Sequence, residues 1–450
     1  MNLYNLLTEK REDAVLIWVC NIGAENKWFY NMDIMAGENE KKIMQRMSEI
    51  NLLLCRKQDY LILNQYPSAM MLNHLQSIGV EIPHILLINT VNCESTYLSE
   101  LILSDLKLLD ELKSIGKANR DIFLVPYAIT SFEEEISRLV NIPIIGSSSN
   151  ISRIINNKVF SRKIAESLDY NICQGYIVDS LSELDRCYYY LKNKGAKKIV
   201  VKEPKGTSGK GIHIVKKDED LSVFKLLLTK KQKLMGGKID QYIIEEWIDD
   251  KIDINYQFFI DEEGGVYFIG VTEQVLNNCQ YVGSRFFTEL TKKYASRFER
   301  YSQEIGKYLF QHGYYGMVSV DSIIVNGNNI IPIIEINARF SLSTYLSFLP
   351  SILLDKCVYS EYIDMILQEK MDYDTFFAMM QDKEVLFTKE TGVGVIIYNS
   401  STFCNDYINK KSICRVFVLY IHTTMDGVCN LKQQVYDILQ ERKNGDGKSC

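Results

Sequence analysis

The sequence predicts a mixed α/β and α+β chain: an open α/β domain, two strand-rich lobes and a small C-terminal α+β region. Three observations predict it. Residues 12–145 alternate short apolar runs with amphipathic helical stretches, the pattern of an open, mainly parallel sheet with helices on both faces. Residues 241–355 carry a series of strand-like runs interrupted by one helical stretch. Residues 370–450 add further strands and a closing helix. The predicted units are 1–145, 146–240, 241–355 and 356–450. Their limits rest on changes of pattern, because only 7 prolines occur and no repeat or low-complexity linker is present.

In the first unit the apolar runs are Ala14–Cys20, Tyr60–Asn64, His84–Asn89, Ile122–Pro126 and Ile142–Ile145, with helical stretches at 39–54, 68–78, 97–115 and 131–140. Ligands of open sheets sit beyond the carboxyl ends of the strands. The stretch Asn21-Ile22-Gly23-Ala24-Glu25-Asn26, just past the first strand, is therefore a candidate site edge, although an ordinary polar βα turn reads the same way. Ser147-Ser148-Ser149-Asn150 suits a helix start, and a helix Arg153–Asp169 follows. Strands near 175–178, 198–202 and 211–215 accompany a helix at 181–194. Next come the runs Tyr242–Trp247, Ile254–Ile260, Val266–Val271, Gly316–Val325 and Ile330–Ile336, with a helix near 295–311. Gly392–Tyr398, Arg415–His422 and a helix at 428–441 complete the order.

Composition narrows the class. With 450 residues, 46% of them hydrophobic, the chain is long enough for several cores. The formal net charge of −6 carries no blocks and argues against nucleic acid as the main partner. The 11 cysteines are odd in number and contain no CxxC, which favours a reduced setting over a disulfide framework. The early apolar run Ala14–Cys20 is too short for a secretory signal or a membrane span, and no stretch reaches the ~20 apolar residues a spanning helix needs. The expectation is a soluble cytoplasmic protein without a membrane partner.

Two segments carry the chemistry. The first is Val200-Val201-Lys202-Glu203-Pro204-Lys205-Gly206-Thr207-Ser208-Gly209-Lys210-Gly211-Ile212. Lys202 ends a β-branched run suited to a buried strand. A lysine there is either capped by a carboxylate or aimed at an anion. Glycines at 206, 209 and 211 allow positive φ and close backbone approach, so loop amides can turn towards phosphate oxygens. The spacing is neither Walker A nor GxGxxG, and the loop joins strand to strand. It reads as a flap over a nucleotide; standing alone, such a loop is more commonly a plain hairpin turn. Lys158, upstream on a helix, is by itself an ordinary surface charge and gains meaning only beside Lys202. Tyr242-Ile243-Ile244-Glu245-Glu246-Trp247-Ile248 ends in two acids and a tryptophan. Main-chain groups of Glu245, Glu246, Trp247 and Ile248 can hold a purine in an apolar slot, with Asp253 accepting from a ribose hydroxyl. Two exposed acids at a strand end are the alternative.

The second segment is Met317–Val325, a turn at Gly327-Asn328-Asn329, and Ile330–Asn337, read as a β-hairpin. Alternation puts Glu335, Asn337 and Arg339 on one face. A three-residue loop at 327–329 pairs 326 with 330 and sets Asp321 opposite Glu335, whereas a loop of two or four residues separates the acids. The odd-length register is expected. Three hard oxygen donors on one face suit Mg²⁺. Without a cation the two acids repel and one takes up a proton; two acids at a sheet surface are the competing reading. The planar fork of Arg339 suits a phosphate or carboxylate oxygen.

Helix lysine, strand-end lysine, glycine flap, Glu-Glu-aromatic hinge and Asp…Glu-x-Asn-x-Arg, in this order over residues 146–350, resemble the ATP-grasp superfamily. The resemblance implies that Lys158 and Lys202 bind ATP phosphates beneath a flap of Gly206, Thr207, Ser208, Gly209, Lys210 and Gly211. It further implies adenine at Glu245–Ile248, ribose at Asp253, and Mg²⁺ (Mn²⁺ being an alternative) at Asp321, Glu335 and Asn337. The N-terminal α/β unit, Thr272-Glu273-Gln274-Val275-Leu276, Tyr281-Val282-Gly283 and Thr391-Gly392-Val393-Gly394-Val395 resemble the pre-ATP-grasp peptide ligases of the pheganomycin type. Asp253, where a glutamate is usual, departs from the pattern and puts the ribose contact in question. The activity implied is carboxylate–amine ligation through an acyl phosphate, on amino acid or peptide substrates in secondary metabolism. Arg339 and Lys202 would act on the reacting groups, Arg285 would orient a substrate carboxylate or is a surface arginine, and a homodimer is expected. A non-catalytic ATP sensor and phosphoryl transfer to a hydroxyl are the alternatives.

Overall fold

The computed structural model describes all residues except 1–2, 9–10, 12, 30–37, 90–96, 205, 207–210, 235–240, 348–352, 354–355, 368–370, 409–410 and 445–450. Seventeen described strands form three sheets. The first holds β1 (Val15–Val19), β2 (Tyr60–Leu63), β3 (His84–Leu87) and β4 (Ile122–Pro126), all parallel in the order β3-β2-β1-β4. Every residue of β1 is buried, as expected of a central strand covered on both faces. The run Ile142–Ile145 adds only an isolated parallel bridge, Leu124 to Ile144.

Two helices expected to be continuous are broken, each by a side chain that caps the second piece. The stretch 97–115 divides into Leu98–Ser104 and Leu106–Ala118, where Asp105 accepts the Leu108 N–H. Arg153–Asp169 divides into Ser149–Ile155 and Lys158–Ser167, where the Asn157 side chain accepts the Val159 N–H at 2.8 Å. Asn and Asp compete with the helical backbone in this way and prefer N-caps. The second break makes Lys158 the first residue of its helix.

The second sheet joins β5 (Gly175–Val178), β6 (Ile199–Lys202), β7 (Ile212–Val215) and β8 (Tyr242–Glu246), antiparallel in the order β5-β8-β6-β7. Its helices are Leu181–Asn193 and Asp218–Leu234. Gly175 is required at its place: a Cβ there would lie 2.3 Å from Cβ of Glu245.

The third sheet is the largest. It holds β9 (Lys251–Ile260), β10 (Val266–Asn277), β11 (Gln280–Phe286), β12 (Gly316–Val325), β13 (Asn329–Asn337), β14 (Cys357–Leu367), β15 (Gly394–Ile397), β16 (Phe403–Ile408) and β17 (Lys411–His422). The order is β13-β12-β9-β10-β11-β14-β17-β15, with β16 also paired to β17. The C-terminal strands thus continue the central sheet through the β11–β14 pairing. Helix Glu289–Gln311 packs Tyr294, Phe298, Ile305 and Leu309 into the core of β9, β12 and β13. The C-terminal region also reaches the first unit: buried Glu49 accepts the N–H groups of Ser400 (2.5 Å) and Ser401 (3.1 Å). No helix among the described residues is long and apolar enough to cross a membrane.

Candidate active site

A cleft opens between the second and third sheets. Lys202, Glu245, Trp247, Ile248, Asp253, Asp321, Glu335, Asn337 and Arg339 all line it. The sheets that carry them are built from runs separated by more than a hundred residues, so the cleft is a product of tertiary folding.

Its acidic end is the β12–β13 hairpin. Asp321 faces Glu335 and Ser319 faces Asn337, the register expected for the acids. The loop differs from the expected one. Val325, not 326, pairs with Asn329, and continuing that register would set Asp321 opposite Ile333. A bulge between Asp321 and Ile323 moves the pairing by two residues of β13 and restores Glu335. Pro332 lies in the bulge; lacking an N–H it cannot extend the ladder, and its carbonyl accepts from the buried Tyr256 hydroxyl at 2.9 Å. A shift of two keeps side-chain parity, so both acids still point to one face.

Asp321 is held from three strands. Asn255 Nδ2 and Gln274 Nε2 each donate to its Oδ1 at 2.9 Å, and Asn337 Nδ2 lies 3.4 Å from Oδ2. Its carboxyl is pushed up to about 6, first by burial and then by the negative field of Glu335, against the Asn255 and Gln274 hydrogen bonds. Among the described residues no cluster of three or more His, Cys, Asp or Glu side chains is placed to hold a metal. A cation here would be held by two carboxylates, an amide, water and substrate phosphates, the donor set Mg²⁺ favours. Burial and the Glu335 charge raise the Asp321 proton affinity, a cation would offset both, and the residues fit the ion.

A pH dependence follows. A carboxyl whose folded pKa lies above 3.8 stabilises the metal-free protein most fully at low pH, and that contribution is lost as pH rises through about 6. Mg²⁺ needs the ionised form. Mg²⁺ affinity measured by calorimetry in the presence of ADP is therefore expected to fall about tenfold from pH 7 to pH 5. An affinity flat over that range would separate Asp321 from the metal.

The basic end meets the acidic one through a single side chain. Lys158 Nζ donates to Glu335 Oε1 at 2.6 Å and to the Gly206 carbonyl at 2.8 Å, and the lysine is only 4% exposed. Its backbone N–H also bonds the Pro204 carbonyl at 3.0 Å. Lys202 is buried and capped by a carboxylate: its Nζ pairs with Glu245 Oε1, while Arg162 holds Glu245 Oε2 at 2.9 Å. Burial, the largest single influence, would lower the Lys202 pKa, but the charge and hydrogen bond of Glu245 together with Cys173 and Glu335 hold the ammonium above its ordinary value. Of the expected flap, Gly206 and Gly211 have positive φ, and Thr207, Ser208, Gly209 and Lys210 lie outside the described residues.

The hinge is partly committed within the protein. The Glu246 N–H bonds the Gln174 carbonyl (2.8 Å) and the Trp247 N–H bonds the Lys198 carbonyl (2.9 Å). Glu245 is turned to Lys202 and Arg162 by its side chain, a use the sequence did not suggest. Asp253 accepts from Lys251 Nζ at 2.9 Å, and that ammonium lies 4.6 Å over the Trp247 ring. Lys251 thus ties the hinge to Asp253 and was missed in the sequence, as was Arg162.

Arg339 lies where the N-terminal unit meets the cleft. It donates to the Tyr127 hydroxyl (2.6 Å), the Phe340 carbonyl (2.9 Å) and Asn337 Oδ1 (3.1 Å). Its Nε stands 3.7 Å from Glu25 Oε1 and makes no hydrogen bond. Glu25 belongs to the Asn21–Asn26 stretch and is itself held by the Gly23 N–H at 2.8 Å, so that stretch does border the site. Arg285 is placed elsewhere. It is half exposed beside Glu273 at 3.8 Å and does not line the cleft.

The chain is similar to known proteins. Residues 176–337 match the family described as L-aspartate–L-methionine ligase, ATP grasp. The [butirosin acyl-carrier protein]–L-glutamate ligase of Niallia circulans is 26% identical over 412 residues, which are 90% of this chain and 90% of that protein. Among solved structures, biotin carboxylase from Campylobacter jejuni aligns with a TM-score of 0.53 at 14% identity, over 91% of this chain and 87% of that one. N5-carboxyaminoimidazole synthetase from Staphylococcus aureus aligns with a TM-score of 0.50 at 12% identity, over 95% and 97%. At such identities the structures speak for the fold alone. With the ordered motif, the matched domain and the fold in agreement, residues 176–337 form an ATP-grasp domain, and the protein is an ATP-dependent ligase that forms carbon–nitrogen bonds.

Proposed function

We propose that the enzyme joins the carboxylate of an amino acid or peptide to an amine through an acyl phosphate, as a step in making a secondary metabolite. The observation that carries this reading is the Lys158–Glu335 contact of 2.6 Å, because it brings a phosphate-binding lysine and a metal-binding carboxylate to one point. A triphosphate lying there touches both ends of the cleft.

In the first step a carboxylate oxygen of the substrate attacks the γ-phosphorus of ATP. The bond to the β–γ bridging oxygen breaks, and ADP leaves. In the second, the amine attacks the acyl carbon, the carbon–oxygen bond to phosphate breaks, and the amine's proton is lost to solvent or phosphate. Lys158 and Lys202 neutralise the phosphates, and Asp321, Glu335 and Asn337 hold the cation. Mg²⁺, when bound, supplies charge neutralisation at the transferring phosphoryl group; Mn²⁺ fits the same donors. Arg339, with an uncommitted Nε and two bonded amino groups, holds the acyl phosphate or the oxyanion that follows. Adenine lies against Trp247 and Ile248, and the ribose reaches Asp253 once Lys251 yields. The flap from Gly206 to Gly211 covers the acyl phosphate, which water would otherwise hydrolyse.

The butirosin relative's name couples glutamate to a carrier protein. That supports a finer reading in which one substrate of this enzyme arrives on a protein carrier. The enzyme works in the cytoplasm as a homodimer. Offered Mg-ATP, a panel of amino acids and hydroxylamine, the enzyme is expected to release ADP and form a hydroxamate only with its own carboxylate. ATP binding without ADP release across the panel would favour the sensor, and phosphorylation of a hydroxyl without hydroxamate would favour the phosphotransferase.

A further inference from the structure

The cleft continues sideways across the third sheet, past Asp321. Asp321 faces Asn255 on β9, and Asn255 faces Thr272 on β10. Directly opposite residues of neighbouring strands share a face, as do residues two apart in one strand. Gln274 and Leu276 therefore stand on the face that carries Asp321, and Gln274 reaches it with its 2.9 Å hydrogen bond. Leu276 pairs across to Tyr281 of β11 through a register shift. From the other side comes the loop after Arg339, which brings Leu342. Leu276, Tyr281 and Leu342 all line the cleft.

The polar groups at this end are spent inside the protein. The Tyr281 hydroxyl pairs with Ser284 Oγ at 2.9 Å. The hydroxyls of Ser341 and Ser343 lie 2.9 Å apart, and Gln257 donates to Ser343 at 2.7 Å. Among the described residues three cations line the cleft, Lys202, Lys251 and Arg339. Lys202 is paired with Glu245 and Lys251 with Asp253. Arg339, three residues ahead of Leu342, keeps its Nε without a hydrogen bond. One guanidinium suits one anionic group, the reacting carboxylate or its phosphate. A second negative charge beside Leu276, Tyr281 and Leu342 would be desolvated without a partner. Behind this wall lies a second, smaller cavity. Tyr281 and Leu342 line it too, with Ile50, Tyr398, Phe417 and Glu361, so the two side chains divide the spaces. The charge of Glu361 is already met by Lys432 at 2.6 Å.

We propose that Leu276, Tyr281 and Leu342 form the pocket for the side chain of the acid substrate, and that this side chain is uncharged and apolar. The proposal rests on the ligase reading and adds to it the class of acid, an apolar amino acid or a peptide ending in one. The carboxylate reaches Arg339 and the cation at Asp321 and Glu335, while the side chain lies across β10 and β11. Tyr281 sets the depth. Its ring closes the way to the second cavity, and swinging it aside would break the bond to Ser284. These three residues do no chemistry; they select by fit and by offering no counter-charge.

The test is calorimetry on the full-length enzyme loaded with a non-hydrolysable ATP analogue and Mg²⁺. The ligands are leucine, methionine, phenylalanine, aspartate, glutamate and lysine, and dipeptides ending in each. An apolar ligand is expected to bind about tenfold or more tightly than its charged counterparts. Leu276→Arg should weaken that ligand about tenfold and favour glutamate instead. Tyr281→Ala should move the preference to a longer apolar side chain. Both variants should bind the ATP analogue as the wild type does. A charged ligand that binds best to the wild type, no binding across the panel, or an unchanged ranking in both variants overturns the proposal. Mg-ATP and hydroxylamine then separate it from the reading beneath it. An apolar ligand that binds as expected yet yields neither ADP nor a hydroxamate counts against the ligase reading and leaves the pocket standing.

Discussion

Glu335→Gln is expected to lower turnover by about 10²–10³-fold, the loss typical of removing one charged or polar group from a preorganised transition-state site. The substitution keeps the shape of the side chain at a partly exposed position on β13. It removes the charge that faces Asp321 and pairs with Lys158. Fold and melting temperature should stay close to wild type, because relief of the Asp321–Glu335 repulsion offsets the lost lysine contact. Steady-state ADP release with varied Mg²⁺ checks it: kcat falls and the Mg²⁺ requirement rises. Undiminished turnover at ordinary Mg²⁺ would remove Glu335 from the metal site.

Glu245→Ala is expected to act on the fold before it acts on catalysis. Glu245 is 5% exposed and sits between two cations, Lys202 Nζ on one oxygen and Arg162 on the other. Arg162 is fixed in addition by the carbonyls of Cys173 (3.0 Å) and Gly175 (2.8 Å), so it cannot turn away to solvent. Deleting the carboxylate leaves the buried Lys202 ammonium uncompensated and Arg162 with Glu166 (2.9 Å) as its remaining counter-ion, a loss of about 3–5 kcal/mol. Glu245→Gln retains hydrogen bonding and should cost about half as much, with ATP affinity reduced in both. Urea unfolding of the three proteins measures this. If both variants unfold at the wild-type midpoint, Glu245 is not the counter-ion of this pair.

Much of the fold was legible because it is written in local periodicity. The strands of the first two sheets are apolar runs closed by turn residues, and they occur within a residue or two of their expected places. The Asp321–Glu335 register was also legible, though by a route the turn alone does not dictate. Parity survives because the bulge at Pro332 adds two residues to one strand. What was hidden depends on distance in sequence. Arg162 and Glu245 are 83 residues apart, and no local pattern ties a helix arginine to a strand acid. The break before Lys158 lay in an Asn156-Asn157 pair whose capping competes with an otherwise continuous helical pattern. Strand β14 escaped notice because Ser360, Glu361 and Asp364 interrupt its apolar alternation. The structure answers Glu361 with the Tyr420 hydroxyl (2.7 Å) and Lys432 (2.6 Å), partners that lie beyond it in the chain.

Membership of β14 in the central sheet bears on how the gene can be cut. A protein ending near residue 356 would present the outer side of β11 as an open row of amides and carbonyls, where Gly283, Ser284, Arg285 and Phe286 now find Glu361, Ser360, Tyr359 and Val358. Such a border invites another polypeptide to add itself. The last hundred residues are therefore the seal of the ATP-binding half rather than a tail that can be trimmed from it.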